Sequence, residues 1–340
     1  MKAAVITRFG RSGLLKIRED WPVPDPAEDE VRIRVRAVGL NFADVMARLG
    51  LYPNIPSPPF VPGIEVAGEI DALGHGVTSV SRGKRVVAFT PQGGYAEYAC
   101  TKAAHVYQIP DEVPWTDAAA LGVTYMTAYH GLITLAHAQP GERLLLHAAA
   151  GGVGTAALQL SHILGLRVLA TAGSAAKTDL ARSLGADRVV NYREEDFAQA
   201  ARSWSGNQGV DVVMDSVGGR VFREGWRILA PMGRYVLFGF AAVAGRRTYN
   251  RFRALRELMA MPLLFPHTLL QRNVSLHCFN LYFIVHKSDY LRQAMDEILH
   301  WYKEGRIRPV VRSVVPFDQI ANIHQQIQQR GTVGKVVAIL

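Results

Sequence analysis

The stretch LLLHAAAGGVGTAALQL, Leu144–Leu160, carries the information that decides the fold. Three leucines form a short apolar strand, a run of small residues makes a turn, and an apolar-periodic segment begins directly after it. Ala149, Gly151 and Gly154 occupy the three positions of a G-x-G-x-x-G pattern, with alanine at the first. Gly151 lets a pyrophosphate approach the backbone, and Gly154 lets the helix pack closely on its strand. The free N–H groups at the helix start then face the anion. Ala150, Gly151, Gly152, Val153 and Gly154 are therefore expected to hold a dinucleotide.

Reading outward, strands and amphipathic helices alternate downstream. RLLLHAA, RVLATAG, DRVVNY, VDVVMDSV, GRYVLFGF and VSLHCF make six strands, with helices such as GTAALQLSHILG and AAKTDLARSLG between them. This pattern predicts an α/β fold, a doubly wound parallel sheet covered on both faces, over residues 123–284. Residues 1–122 read instead as short strands and turns, a partly open β-barrel. EVRIRVRAVGL places Val31, Ile33 and Val35 on one face and Arg32, Arg34 and Arg36 on the other, as in a half-buried strand. Residues 285–340 hold two helices and two strands that break the alternation and are expected to return to the first lobe.

The choice of dinucleotide rests on the second strand. NAD binding calls for a carboxylate about twenty residues past the glycine turn. The sequence has ATAGSAAK there, with Ser174 and Lys177 in place of an acid. A hydroxyl and a cation suit an additional 2′-phosphate, with Tyr192 adding its hydroxyl or ring face, so the expected cofactor is NADPH. Phe238 and Gly239 follow the fifth strand and Phe279 the sixth, where ligands of open α/β sheets bind; they are expected to flank the nicotinamide half.

Composition narrows the class. The 340 residues suit two domains, with 49% hydrophobic and 20% charged side chains. Two cysteines, Cys100 and Cys278, exclude a disulfide framework and a four-cysteine zinc lobe and fit a reducing cytoplasm. The N-terminal residues lack a signal-peptide core, and no apolar run reaches the ~20 residues of a membrane span. The net charge of +9 favours phosphate-bearing partners. Residues 241–275, with six arginines and one glutamate among Leu, Met and Phe, read as a helical cover for the pocket or a dimer seam. A weak membrane-surface contact through Arg246, Arg247, Arg251 and Arg253 is the alternative; DNA is not expected as a partner.

GLNFADVMARLGLYP, VPGIEVAGEI, HAAAGGVG, GSAAK and NYREEDF together resemble the zinc-free quinone oxidoreductases of the medium-chain dehydrogenase/reductase superfamily. VMDSVGG, LAPMGRYVLFG and GKVV are similar to the vesicle amine transport protein homologues within it. The resemblance implies a GroES-like barrel carrying the substrate site, an inserted Rossmann domain, and a homodimer built on the sixth Rossmann strand. Asn41 and Ile64 stand where zinc-dependent relatives have Cys and His, so no metal is expected. The resemblance also implies that Asn41 and Thr127 lie by the nicotinamide and that Tyr52 faces the substrate, making these three the expected catalytic residues. Asp44 and Arg48, four apart, are candidates for an ion pair that steadies Asn41 or only the scaffold. The expected activity is NADPH-dependent reduction of a quinone or other conjugated carbonyl by hydride transfer. Its rivals are an alkenal or enone reductase and an NADPH-binding protein that contacts lipid or RNA.

Overall fold

The computed structural model describes residues 1–245 and 249–340. Two strands, β1 (Ala3–Ile6) and β2 (Leu15–Arg18), pair antiparallel at the N-terminus. β3 (Glu30–Leu40), β4 (Glu65–Leu73), β5 (Arg85–Phe89), β6 (Tyr98–Lys102) and β7 (Val106–Gln108) build the barrel sheet. β3 alternates as its sequence predicts. Val31, Ile33 and Val35 are buried, while Arg32 pairs outside with Asp71 at 2.7 Å and Arg36 with Glu69 at 3.2 Å.

The second sheet consists of β8 (Arg143–Leu146), β9 (Arg167–Ala172), β10 (Arg188–Asn191), β11 (Val210–Asp215), β12 (Leu229–Leu237) and β13 (Ser275–Cys278). Its order, β10-β9-β8-β11-β12-β13, is all parallel and reverses direction at β8. That reversal opens a crevice beyond the strand ends, where Rossmann sheets take their ligands. All six strands read from the sequence are present. β14 (Val311–Pro316) and β15 (Lys335–Ile339) then join the barrel sheet, β15 antiparallel to β3. The C-terminal segment thus closes on the first lobe.

The helices, in chain order, are α1 (Phe42–Arg48), α2 (Trp115–Tyr129), α3 (Gly152–Ile163), α4 (Ala175–Ser183), α5 (Phe197–Trp204), α6 (Arg220–Arg227), α7 (Ala241–Ala244), α8 (Arg251–Met259), α9 (Pro266–Arg272), α10 (Ser288–Lys303) and α11 (Ile320–Gln328). α2 is the element that the strand–helix reading passed over. It is almost wholly buried, so it carries no amphipathic stripe to read. It packs against both sheets and α10, and it runs unbroken through residue 122. α10 buries Leu291, Ala294, Met295, Ile298 and Trp301 at helical spacing, and Tyr129 and Tyr302 hydroxyls tie the two helices through Glu297 and Asp117 at 2.6 and 2.7 Å. Among the described residues, no helix is long and apolar enough to cross a membrane. α8 and α9 point Phe252, Leu255, Met259 and Leu270 into solvent. Of the four arginines in the membrane alternative, Arg246 and Arg247 lie outside the described residues.

Candidate active site

A cleft of about 930 Å³ runs between the two lobes, and the glycine turn lies at its floor. β8 ends at Leu146, and the backbone reverses through Ala148, whose φ of 53° is left-handed and costly for a residue with a Cβ. Gly151 caps α3 without a side chain. A Cβ at Gly154 would meet the Ala149 Cα and carbonyl carbon at 2.6 Å as well as the Ala148 oxygen, so only glycine lets α3 sit this close to its strand. A Cβ at Gly151 would meet only the Ala148 oxygen at 3.3 Å, which leaves that backbone open towards the cleft. Unpaired N–H groups at the start of a helix, bare of side chains, suit a pyrophosphate.

Beyond β9 the cleft wall includes Lys177 and Tyr192, with Arg330 beside them. Lys177 Nζ donates to the Arg330 carbonyl at 2.7 Å, and the Tyr192 hydroxyl packs over Gly173, where no side chain would fit. These groups put two cations and a hydroxyl at this end of the cleft. Ser174 differs from the other expected cofactor residues. It is the N-cap of α4 and does not line the cleft. Arg330 was not singled out in the sequence, because it lies over 150 residues from Lys177 in a polar helix end.

Phe238, Gly239 and Phe279 all line the cleft, as their places after β12 and β13 predict. The Phe238 and Phe279 rings stack with centroids 6.0 Å apart, and His130 meets Phe279 edge-on at 4.7 Å. At the opposite wall His147 is buried, with Nδ1 3.1 Å from Thr171 Oγ1 and no partner for Nε2; burial pushes its pKa down, so the ring is neutral.

Asn41, Tyr52 and Thr127 converge on the cleft from three elements: the start of α1, the loop after it, and α2. Their hydrogen-bond donors are already engaged. Thr127 Oγ1 donates to the Val123 carbonyl at 2.6 Å, and the Tyr52 hydroxyl donates to Asn280 Oδ1 at 3.0 Å. Burial pushes the Tyr52 pKa up to about 12, so it keeps its proton at neutral pH. Asn41 Nδ2 donates to the Gly39 carbonyl at 3.0 Å and to Glu65 Oε2 at 3.1 Å, while its Oδ1 accepts from Lys335 Nζ at 2.6 Å. Lys335 also pairs with Glu65 Oε2 at 2.6 Å, and Glu65 Oε1 accepts the Val123 N–H at 2.7 Å.

Glu65 and Lys335 were not singled out in the sequence. Each is a lone charge beside an apolar strand, and the signal available was that such a charge must find a partner when buried. The Asp44–Arg48 pair is corrected by the structure. Asp44 Oδ2 accepts the Asn41 backbone N–H at 2.8 Å and the Tyr95 hydroxyl at 2.9 Å. Arg48 turns away to Gln328 Oε1 at 2.5 Å and to the Gly10 carbonyl. Of the two, only Asp44 steadies Asn41, and it does so through the backbone.

The donors at the substrate end do not suit zinc. An amide and an isoleucine stand at the two compared ligand positions, and the nearest carboxylate already holds an ammonium that would repel a cation. Among the described residues, no group of three or more His, Cys, Asp or Glu side chains is arranged to hold a metal ion.

Two family models match the chain: an alcohol dehydrogenase GroES-like domain over residues 27–111 and a zinc-binding dehydrogenase over residues 184–338. The synaptic vesicle membrane protein VAT-1 homolog of Rattus norvegicus is 34% identical over 341 residues, covering 100% of this chain and 84% of that protein. The quinone oxidoreductase of Lama guanicoe is 32% identical over 345 residues, covering 100% and 98%. The crystal structure of Escherichia coli quinone oxidoreductase complexed with NADPH superposes with a TM-score of 0.89 at 29% identity, covering 100% of both chains.

Proposed function

The chain belongs to the medium-chain dehydrogenase/reductase superfamily, with quinone oxidoreductases and VAT-1 homologues among its relatives, and from that premise we propose that it reduces quinones or other conjugated carbonyls with NADPH, without zinc. One observation carries this reading. A single cleft joins a glycine turn suited to an anion and the Lys177–Tyr192 wall to an aromatic chamber whose polar groups are amide, hydroxyl, imidazole and ammonium, with no carboxylate among the described lining residues.

NADPH supplies the hydride when bound. Gly151 to Gly154 hold its pyrophosphate, and Lys177 and Tyr192 face its 2′-phosphate. Phe238 and Phe279 wall the nicotinamide end and exclude water from it. Asn41 and Thr127 fix the reacting end, and Met46, Leu51 and Phe89 offer an apolar bed for a flat acceptor. A quinone or enone takes hydride at a conjugated position, and its oxygen then needs a hydrogen-bond donor rather than a Lewis acid. Tyr52 meets that need. It is protonated, and rotation about its C–O bond turns its O–H from Asn280 Oδ1 to a substrate oxygen, which accepts the hydrogen bond and then the proton. Protein-bound or bulk water then restores the proton.

The test is steady-state NADPH oxidation with a quinone panel and an alkenal panel, each run with a chelator and with added zinc. Turnover of quinones that chelation leaves unchanged supports the reading. Turnover of alkenals alone moves it to double-bond reduction, and NADPH binding with turnover of neither refutes it. A homodimer through the open edge of β13 goes with this reading, and sedimentation velocity checks it. A second reading, contact with anionic lipid, draws on outward Phe252, Leu255 and Met259 beside Arg251, Arg253 and Arg256 on α8. Co-sedimentation with phosphatidylserine vesicles tests it, and equal recovery after the three arginines are changed to glutamate ends it.

A further inference from the structure

Lys335 is buried with Glu65 at the junction of the two lobes, and the site around them is built for the pair. Lys335 and Glu65 are 4% and 0% exposed. A Cβ at Gly39 would stand 2.5 Å from Glu65 Oε2, and one at Gly122 would stand 2.7 Å from Oε1, so two glycines make room for the carboxylate. The lysine stem lies along the cofactor turn, because a Cβ at Gly152 would meet Lys335 Cδ at 3.5 Å. The neighbouring Gly334 N–H donates to the Ala150 carbonyl at 2.8 Å, and Gly151 and Gly334 form a β-bridge. Lys335 thus touches the glycine turn with its stem and the Asn41 loop with its head.

This arrangement is poorly explained by stability. Removing two charges from water costs several kcal/mol each, and apolar residues of the same volume often serve a fold as well or better. It does explain the state of Asn41. With an ammonium against Oδ1, a flipped amide would turn two N–H donors towards a cation, so one orientation is enforced. The backbone of the same residue is held separately by Asp44.

We propose that Lys335, seated on Glu65, is a positioning residue for hydride transfer: it locks the Asn41 amide and ties its loop to the turn that carries the cofactor. The proposal rests on the NADPH-dependent reading above. Its effect falls on the approach of donor and acceptor, where a displacement of about 1 Å costs roughly 100-fold in rate.

The test is the paired variant Lys335→Met with Glu65→Gln, which removes both charges and leaves no buried carboxylate alone. The expected result is a melting temperature and an NADPH dissociation constant close to wild type, with a single-turnover hydride rate lower by roughly 100-fold. Adding Asn41→Ala should lower the rate little further, because the amide has already lost its fixed orientation. A paired variant with a wild-type single-turnover rate, or full multiplication of the two losses, overturns the proposal. Should the pair fail to fold, Lys335→Arg keeps the charge while its planar fork cannot take the ammonium's place. The expected result is again a slower hydride step at unchanged NADPH affinity, and an unchanged rate overturns the proposal. Failure of the wild-type protein to bind NADPH is a separate outcome, since it removes the cofactor reading itself.

Discussion

Replacing Asp44 with asparagine should change how stability depends on pH, with a sign and size that follow from its surroundings. The carboxyl, in the first turn of α1, is fully buried and accepts from the Asn41 N–H and the Tyr95 hydroxyl, while Oδ1 has no partner. Burial pushes its pKa from 3.8 up to about 7, against the two hydrogen bonds. Between about pH 4 and pH 7 the folded protein therefore holds a proton that the unfolded chain has released, and stability falls as the pH rises. A shift of about three units corresponds to a loss of about 4 kcal/mol, complete just above pH 7. His324 works in the opposite sense. Burial, with Arg48 adding to it, lowers its pKa to about 3, so stability is gained as the pH rises from about 3 to about 6.5. The wild-type curve alone therefore blends two slopes, and the difference between wild type and Asp44→Asn isolates the carboxyl. Urea unfolding followed by tryptophan fluorescence at half-unit pH steps measures it. The variant should gain on wild type by about 1.4 kcal/mol per pH unit from pH 4.5 to pH 6.5 and level off above pH 7. A flat difference, or one of opposite slope, refutes the account of a buried, protonated carboxyl.

Three further outcomes follow from the same geometry. Gly154→Ala places a methyl within 2.6 Å of backbone that no rotamer change can clear, so α3 must lift from β8; thermal melts should show a loss of about 3 kcal/mol and titration a weaker grip on NADPH. Lys177→Ala should raise the KM for NADPH by about 10- to 100-fold and leave that for NADH unchanged if, as proposed, the cation meets the additional phosphate that NADH lacks; equal effects on both cofactors refute that role. Tyr52→Phe removes one hydrogen bond to Asn280, which costs roughly 1 kcal/mol of stability or less. It should lower kcat for quinones by about 100-fold if the hydroxyl donates to the reduced oxygen, and an unchanged kcat removes Tyr52 from the chemistry.

Local pattern was enough for the sheet of six parallel strands and for the glycine turn, because each depends on neighbours within about twenty residues. Apolar triplets bounded by turns can only be buried strands here, and a turn of alanines and glycines that opens a helix has few other uses. Thirteen of the fourteen expected site residues line the cleft; most follow a strand end or open a helix, whereas Tyr52, in the loop after α1, and Thr127, near the end of α2, were expected only from the family resemblance. Ser174 is the exception: it is the N-cap residue of α4 and lies outside the cleft lining, which its position beside Lys177 did not indicate. Local pattern also paired Asp44 with Arg48 on spacing alone, although each had a better partner far along the chain, Tyr95 for one and Gln328 for the other.

By itself, then, the order of residues determined two lobes, their strand faces and the glycine turn proposed to hold a dinucleotide, since periodicity and turn chemistry act over short range. What tertiary structure alone decided is the polar centre between the lobes. Asn41, Glu65 and Lys335 are brought together from positions up to 294 residues apart, and a buried charge leaves no mark in its own neighbourhood that tells which distant group will neutralise it.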